Sequence, residues 1–253
     1  MSGRVAAIIP ARLGSTRLPN KPLLRDTGKF LIQHVVERVR MTTRLDPIVV
    51  ATDDRSILSA VESFGGRAVM TSIDHQSGTD RVAEVARGLD VDAVINVQGD
   101  EPEIDPRELD RLADAVLEPG AEIVTLAAPI HDEATYLNQN AVKVVVGERG
   151  RALYFSRRPI PWTADPNAAL TAGLVRKHVG VYAYSKSTLL RFTQLAPVDL
   201  ERSERLEQLR ALHHGITIRV LDTPVDSAGI DTPDDYAKFV ARVARWKSGK
   251  ETR

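Results

Sequence analysis

The residues able to do chemistry fall into short polar runs, and the densest lies near the start of the chain. Ile9-Pro10-Ala11-Arg12-Leu13-Gly14-Ser15-Thr16-Arg17-Leu18-Pro19-Asn20-Lys21 places three cations, one glycine and two hydroxyls directly after an apolar run. Such a loop suits a triphosphate, because backbone N–H groups and cationic side chains neutralise phosphate charge together. It lacks the Gly-Lys-Ser/Thr ending of a Walker A loop and the Gly-x-Gly-x-x-Gly dinucleotide turn. Spacing alone weighs this reading equally with that of an ordinary solvated loop. A second run, Val97-Gln98-Gly99-Asp100-Glu101-Pro102, puts a carboxylate at a strand end. Magnesium takes oxygen ligands there, with one or two carboxylates beside substrate phosphate, and Gly99 leaves room for a nucleotide. A plain turn capped by Asp100 explains the same residues and, for this run alone, slightly better. In the third, Gly229-Ile230-Asp231-Thr232-Pro233-Asp234-Asp235, the two later acids fit an ordinary helix N-terminus capped by Thr232. Asp231 sits just outside it and is the candidate second metal ligand.

Five further runs are weaker. In Asp74-His75-Gln76-Ser77-Gly78-Thr79-Asp80-Arg81, Ser77, Gly78 and Thr79 can face a base edge, although a helix N-cap at Ser77 or Thr79 is the simpler reading. Lys143, inside Val142-Lys143-Val144-Val145, points either into a site or outward from an edge strand. Aromatics surround Arg157 and Arg158 in Tyr154–Trp162, and His178 lies in Lys177-His178-Val179-Gly180-Val181-Tyr182-Ala183-Tyr184. A lone strand histidine is more often structural than catalytic. Glu207 and Gln208, in Leu206–Arg210, read as the solvated face of a helix.

The elements that must position these runs alternate. Val5–Ile9, Ile48–Ala51, Ala68–Met70 and Ala93–Val97 read as strands. Leu31–Arg40, a segment from an Asp54 N-cap through Ser63, Thr79–Leu89 and Pro106–Leu117 read as helices. Alternation of this kind implies an α/β fold with a mostly parallel central sheet flanked by helices, whose ligands bind beyond the carboxyl ends of the strands. Ala11–Lys21, Thr52–Asp54 and Gln98–Glu101 all follow strand ends and should therefore lie near one another. The second half is less regular. Ile123–Ala127, Ala141–Val146, Arg151–Phe155, His178–Tyr184 and Thr217–Leu221 are strand candidates, Asp199–Leu212 reads as one helix, and Pro233–Trp246 as another. Lys247–Arg253 reads as a frayed tail.

Composition bounds the rest. The 253 residues are 43% hydrophobic and 27% charged, which suits one large globular domain. Lys+Arg and Asp+Glu each number 34, a balance that does not suggest nucleic-acid or membrane binding. The chain has no cysteine, which excludes disulfides, thiolate catalysis and Cys-based zinc sites. Its apolar runs are too short to cross a bilayer, and no signal-peptide pattern precedes Val5, so the expected location is cytoplasmic.

Taken in order, Ile-Pro-Ala-Arg…Ser-Thr-Arg-Leu-Pro-x-Lys-Pro, Ala-Thr-Asp, Asp-His-x-Ser-Gly-Thr-Asp-Arg, Val-Gln-Gly-Asp-Glu-Pro and Asn-x-Val-Lys-Val-Val occupy the first part of the chain. Tyr-Phe-Ser-Arg-x-x-Ile-Pro, His-x-Gly-x-Tyr-x-Tyr, Leu-Glu-Gln-Leu-Arg and Gly-x-Asp-Thr-Pro-x-Asp follow. From Ala7 to about Val240 the chain closely resembles the 3-deoxy-manno-octulosonate (Kdo) cytidylyltransferases, or CMP-Kdo synthetases. The resemblance implies a single domain of the nucleotide-diphospho-sugar transferase type. Residues of about 130–200 would contribute to the acceptor site and to a small dimerisation lobe, so a homodimer is expected. It implies transfer of CMP from CTP to the anomeric hydroxyl of Kdo, with magnesium (Mg2+) as cofactor, in a route to lipopolysaccharide or capsule. By the family pattern Arg12, Ser15, Arg17 and Lys21 hold the triphosphate. Ser77, Gly78, Thr79 and Arg81 lie by the cytosine, and Ala11 and Gln98 complete the nucleotide site. Asp100 and Asp231 are the metal ligands, and Arg12, Arg17, Lys21, Asp100 and Asp231 form the catalytic set. Gln98, Arg157, His178, Tyr182, Glu207 and Gln208 line the acceptor pocket. The sequence departs from the pattern at Thr163-Ala164-Asp165, Ser185 and Gln139, all on the acceptor and dimer side. Another acid therefore stays open as the acceptor, either 8-amino-Kdo or a phosphonate such as phosphonoformate. A non-catalytic nucleotide-binding protein on this fold is disfavoured by the presence of Lys21, Asp100 and Asp231.

Overall fold

The computed structural model describes residues 3–14, 17–224 and 229–248. Along these, β1 (Val5–Ala11), α1 (Leu31–Val39), β2 (Leu45–Thr52), α2 (Arg55–Ser63), β3 (Ala68–Met70) and α3 (Gly78–Arg87) come first. They are followed by β4 (Ala93–Asn96), α4 (Pro106–Val116), β5 (Ile123–Pro129), α5 (Glu133–Leu137), β6 (Lys143–Val146) and β7 (Ala152–Ser156). Next come α6 (Pro166–Thr171), β8 (Arg176–Ser185), α7 (Lys186–Phe192) and α8 (Asp199–Glu204). The last are α9 (Gln208–His213), β9 (Ile218–Asp222) and α10 (Pro233–Lys247). The architecture is the expected α/β one, a central mixed and mostly parallel sheet flanked by helices. Two compact units divide the chain. The N-terminal unit takes Arg4–Asp90, Asn96–Asp110 and Ser227–Arg253, and the second takes Met1–Gly3, Val91–Ile95 and Arg111–Asp226.

In the N-terminal unit β1 pairs in parallel with β2, and β2 in parallel with β3. Val5 to Ile9 are all buried, as befits a parallel strand covered on both faces. The intervening helices begin where their caps dictate. Asp54 accepts from the N–H groups of Ser56 and Ile57 to start α2. Ser77 and Asp80 form a capping box that starts α3, and Thr232 with Asp235 does the same for α10. Leu18, Leu31, Ile230, Tyr236, Phe239 and Val243 form a buried cluster that fastens the loop after β1 and the approach to α10 onto the same core. The Tyr236 hydroxyl accepts from the Asp26 N–H at 3.0 Å, and Lys247 Nζ donates to the Thr27 carbonyl at 2.7 Å.

In the second unit β5 lies between β8, antiparallel, and β9, parallel. β6 and β7 form an antiparallel pair, and Lys143 of β6 faces Lys177 of β8. The β5–β8 register steps from Thr125↔Tyr182 to Leu126↔Val179. Gly180 and Val181 are therefore extra residues on β8, a bulge that shortens the path between His178 and Tyr182.

The structure departs from the sequence reading in two places. The helix expected over Asp199–Leu212 is two helices, α8 and α9, because Arg205 takes a left-handed conformation with φ of 54°. The break frees the carbonyls of Glu204 and Arg205 from helical bonding, and both accept from the Arg157 guanidinium, at 2.9 and 3.4 Å. The short helices α5, α6 and α7 were also not foreseen. At five to seven residues they are too short to show a helical period in sequence.

Candidate active site

A cavity of about 310 Å³ opens in the N-terminal unit. Its walls come from the loops that leave the strands: Ala11, Arg12, Arg17 and Lys21 after β1, Ser77, Gly78 and Arg81 around the start of α3, and Gln98, Gly99 and Asp100 after β4. Asp231, just before α10, completes it. Four runs far apart in sequence thus meet at the carboxyl ends of parallel strands, where α/β sheets hold ligands.

Lys21 organises the floor. Its Nζ donates to Asp100 Oδ2 at 2.6 Å, to the Ile230 carbonyl at 2.9 Å and to Asp231 Oδ1 at 3.1 Å. All three ammonium donors are used, and two carboxylates converge on one cation. Asp231 also pairs with Arg17 Nη2 at 3.1 Å through its other oxygen. The Ile230 N–H donates to the Asp100 carbonyl at 2.9 Å, which ties the two acidic segments together through the backbone. Arg12 is exposed. A Cβ on Gly99 would lie 2.8 Å from the Pro10 carbonyl oxygen, so this glycine lets the turn after β4 pass the end of β1.

The wall formed by α3 is more heavily engaged. Ser77 Oγ accepts from the Asp80 N–H in its capping role. Arg81 is buried, donates to Asp53 Oδ2 at 2.7 Å and also contacts the Thr71 hydroxyl. Thr79 is buried and does not reach the cavity wall. His75 does line the cavity, and its Nε2 is bonded to the Glu84 carboxylate.

In the second unit His178 packs with Phe155 and Tyr182, and Glu207 lies near the Tyr182 phenol, while Arg157 is held by Gln139, Glu204 and Arg205 and Gln208 begins α9. The bulge in β8 brings the His178 and Tyr182 rings to 5.1 Å between centroids, and Phe155 packs edge-on against His178. Four residues apart on a regular strand they would stand about 13 Å apart. The Thr125 hydroxyl contacts His178 Nε2 at 3.0 Å and the Val181 carbonyl at 2.7 Å. A hydroxyl has one proton, and the shorter contact, to a pure acceptor, claims it. Nε2 then carries hydrogen and Nδ1 keeps a lone pair. Burial, with a smaller contribution from Lys177, pushes His178 down to about 3, so the ring is neutral at physiological pH. Burial also raises the Tyr182 phenol well above its usual value, aided by Tyr184 and Glu207. The Tyr182 hydroxyl is buried without a hydrogen-bond partner among the described residues, which is costly unless a ligand supplies one. Arg157 donates to the carbonyls of Glu204, Gln139 and Arg205. Among the described residues one N–H on each terminal nitrogen has no partner, a fork suited to a carboxylate.

A family profile described as cytidylyltransferase matches residues 6–218. A 3-deoxy-manno-octulosonate cytidylyltransferase of Trichlorobacter lovleyi is 47% identical over 95% of this chain and 98% of its own length. One of Syntrophobacter fumaroxidans is 48% identical over 96% and 98%. The chain belongs to the 3-deoxy-manno-octulosonate cytidylyltransferase family. A solved CMP:2-keto-3-deoxy-manno-octonic acid synthetase complexed with CTP superposes with a TM-score of 0.90, at 43% identity over 96% of this chain and 99% of that one.

Ala11, Arg12, Arg17, Lys21, Ser77, Gly78, Arg81, Gln98, Asp100 and Asp231 share one cavity. Ser15 lies outside the described residues. Sequence reasoning missed Asp53, the partner of Arg81, although it sits in the polar Thr52–Asp54 cluster at a strand end. It also missed Glu204, three residues before Glu207, whose role depends on the break between α8 and α9. Lys143 does not face outward from an edge strand. It is fully buried and donates to the carbonyls of Asn138, Ala141 and Arg157 at 2.8, 2.5 and 2.8 Å.

Proposed function

We propose that this chain transfers CMP from CTP to the anomeric hydroxyl of 3-deoxy-manno-octulosonate, releasing pyrophosphate. The observation that carries the reading is the cation-linked carboxylate pair, Asp100–Lys21–Asp231, at the mouth of parallel strands in a chain 47–48% identical to enzymes of that name. Those names favour Kdo over its 8-amino analogue or phosphonoformate. In the reaction the anomeric oxygen bonds to the α-phosphorus of CTP, the bond from that phosphorus to the α–β bridging oxygen breaks, and the hydroxyl proton passes to solvent. Charge grows on the departing pyrophosphate. Arg12 and Arg17, both exposed in the loop after β1, stand ready to meet it, and such preorganised cations are the main catalytic resource in this chemistry. Ser77, Gly78 and Arg81 would bound the cytosine. Thr79 would act from behind that wall, and Ala11 and Gln98 would complete the nucleotide site.

The same carboxylates fit a magnesium ion. Lys21 Nζ, held by one oxygen from each, marks a place where positive charge is already favoured. No cluster of three or more His, Cys, Asp or Glu side chains with metal-binding geometry exists among the described residues. Magnesium takes one or two carboxylates together with substrate phosphate, and Asp100 and Asp231 supply two. Bound at Asp100 and Asp231, the ion would neutralise phosphate charge and lower the cost of forming the nucleophilic oxyanion.

On the acceptor side the Arg157 fork would take the carboxylate. Neutral His178 would accept from a sugar hydroxyl at Nδ1, and the unpartnered Tyr182 hydroxyl would donate to the sugar, with Glu207 and Gln208 completing the pocket. We also propose a homodimer formed through the second unit, where Trp162, Leu174, Leu153 and Leu137 are 85%, 62%, 56% and 55% exposed. The compartment would be the cytoplasm, where nucleoside triphosphates are made. No described helix is long and apolar enough to cross a membrane. The deciding experiment is pyrophosphate release from CTP and magnesium with Kdo, 8-amino-Kdo, a sialic acid and phosphonoformate. Release with Kdo alone is expected. Release only with another acid would replace the acceptor, and release with none would remove the proposed activity.

A further inference from the structure

Lys143 is a fully buried ammonium whose partners among the described residues are all backbone carbonyls. Burying a charge without a paired carboxylate is costly. Apolar residues flank it on β6, and a leucine or methionine would fill a buried strand position at no such cost. The three carbonyls explain its presence, because they tie the segment before β6, at Asn138 and Ala141, to the Arg157 carbonyl just after β7. Glu204 performs the matching task from the other side. Its Oε1 accepts from the Ser156 hydroxyl at 2.5 Å, its Oε2 from the Arg157 N–H at 2.9 Å, and its carbonyl from Arg157 Nε at 2.9 Å. Ser156 is also the residue opposite Lys143 in the β6–β7 register. The Arg157 backbone is thus held at its N–H by a carboxylate and at its carbonyl by an ammonium. Its guanidinium is held by carbonyls from the two segments that this ammonium and carboxylate belong to, Gln139 on one side and Glu204 with Arg205 on the other.

We infer that Lys143 and Glu204 are positioning residues that hold Arg157 as a rigid fork for the carboxylate of the acceptor, and so set affinity for the acid without touching it. The inference rests on the reading of Arg157 as the carboxylate-binding group. Burial pushes Lys143 down to about 8, opposed by the charge of Glu204 and reinforced by Arg157, so the two residues that flank it in this network also act on it electrostatically. Lys177 faces it across the β6–β8 pair.

The test is a double-mutant cycle on the full chain between Glu204→Gln and Arg157→Ala, read as KM for Kdo, KM for CTP and kcat, with Lys143→Gln as a second probe. Loss of one charge-assisted contact should raise KM for Kdo about 10- to 100-fold in Glu204→Gln. KM for CTP should stay within about twofold of the parent, since CTP would sit in the cavity of the other unit. In the Arg157→Ala background Glu204→Gln should add nothing further, because its effect passes through Arg157. A full additional loss in that background would overturn the positioning role, as would an unchanged KM for Kdo in Glu204→Gln when Arg157→Ala raises it. An unchanged KM for Kdo in Arg157→Ala itself would instead defeat the reading of Arg157 on which the inference stands. Should Lys143→Gln fail to fold, Glu204→Gln, which keeps the size of the side chain, decides the matter alone.

Discussion

Replacing Lys21 with methionine isolates the link between the two acidic segments. Methionine keeps an unbranched side chain as far as Cε and removes the ammonium with its three donors. The bond to Asp100 joins side chains only 12% and 27% exposed, and a charge-assisted bond in such a place contributes about 1.5–3 kcal/mol. Asp231 is 47% exposed, so that pair is screened and contributes about 0.2–1 kcal/mol. The expected loss is about 2–4 kcal/mol, and for a chain of this size each kcal/mol moves Tm by about 2–4 °C. Scanning calorimetry in chelator-treated buffer should therefore show Tm lowered by roughly 4–16 °C. Adding magnesium should recover part of that loss in Lys21→Met and give a smaller rise in the parent, because the two carboxylates then have no ammonium between them. A Tm within about 1 °C of the parent would show that the pair does not hold these segments together. A lowered Tm with no magnesium-dependent recovery would show that the carboxylates do not form a cation site. Turnover should fall about 100- to 1,000-fold, as when one preorganised electrostatic contact is removed.

Gly99→Ala drives a Cβ to 2.8 Å from the Pro10 carbonyl oxygen. The backbone must yield, so urea denaturation should show a loss of about 1–3 kcal/mol. Phe239→Ala empties a fully buried site in the cluster that fastens α10, and about 3–5 kcal/mol should be lost in the same assay. His178 titrates at about 3 in the folded chain against 6.5 ordinarily. The unfolded chain therefore binds the extra proton first, and stability falls as pH drops below 6.5. Lowering pH from 7 to 5 should remove about 2 kcal/mol through this group, and in His178→Gln that share of the acid sensitivity should disappear.

How much of this was legible in the sequence varies with the physics of each feature. The caps at Asp54 and Thr232 were readable because an N-cap acts on the next three residues, and both bond as expected. The strand-end clusters were readable because parallel strands place their exits on one side of a sheet. The break at Arg205 was not readable. Arginine carries no local preference for positive φ, and the conformation is accompanied by contacts with Arg157, 48 residues away. Arg81 illustrates a subtler limit. Its place beside the cavity was readable from the Ser-Gly-Thr-Asp-Arg run, but its bond to Asp53 depends on how α3 packs against β1 and β2. Gly99 was singled out for the right property, close approach, but the approaching group is the Pro10 backbone. Lys143 looked like a surface or site lysine because sequence patterns carry no record of backbone carbonyls that need a donor.

The carboxylate pair also has a history in time. Asp100 follows Lys21 by 79 residues and Asp231 by 210. At a synthesis rate of about 5–20 residues per second, Asp231 is made about 10–40 s after Lys21. Through that interval the growing chain can pair Lys21 with Asp100 and shape most of the cavity, yet it lacks the second carboxylate. The segment that brings it, from Ile230 through Phe239 and Val243, docks on the core through its apolar side chains. A chain stopped before this point would have the strands and the first loop but no complete floor, so interrupted translation would leave an inert product in place of a half-competent one.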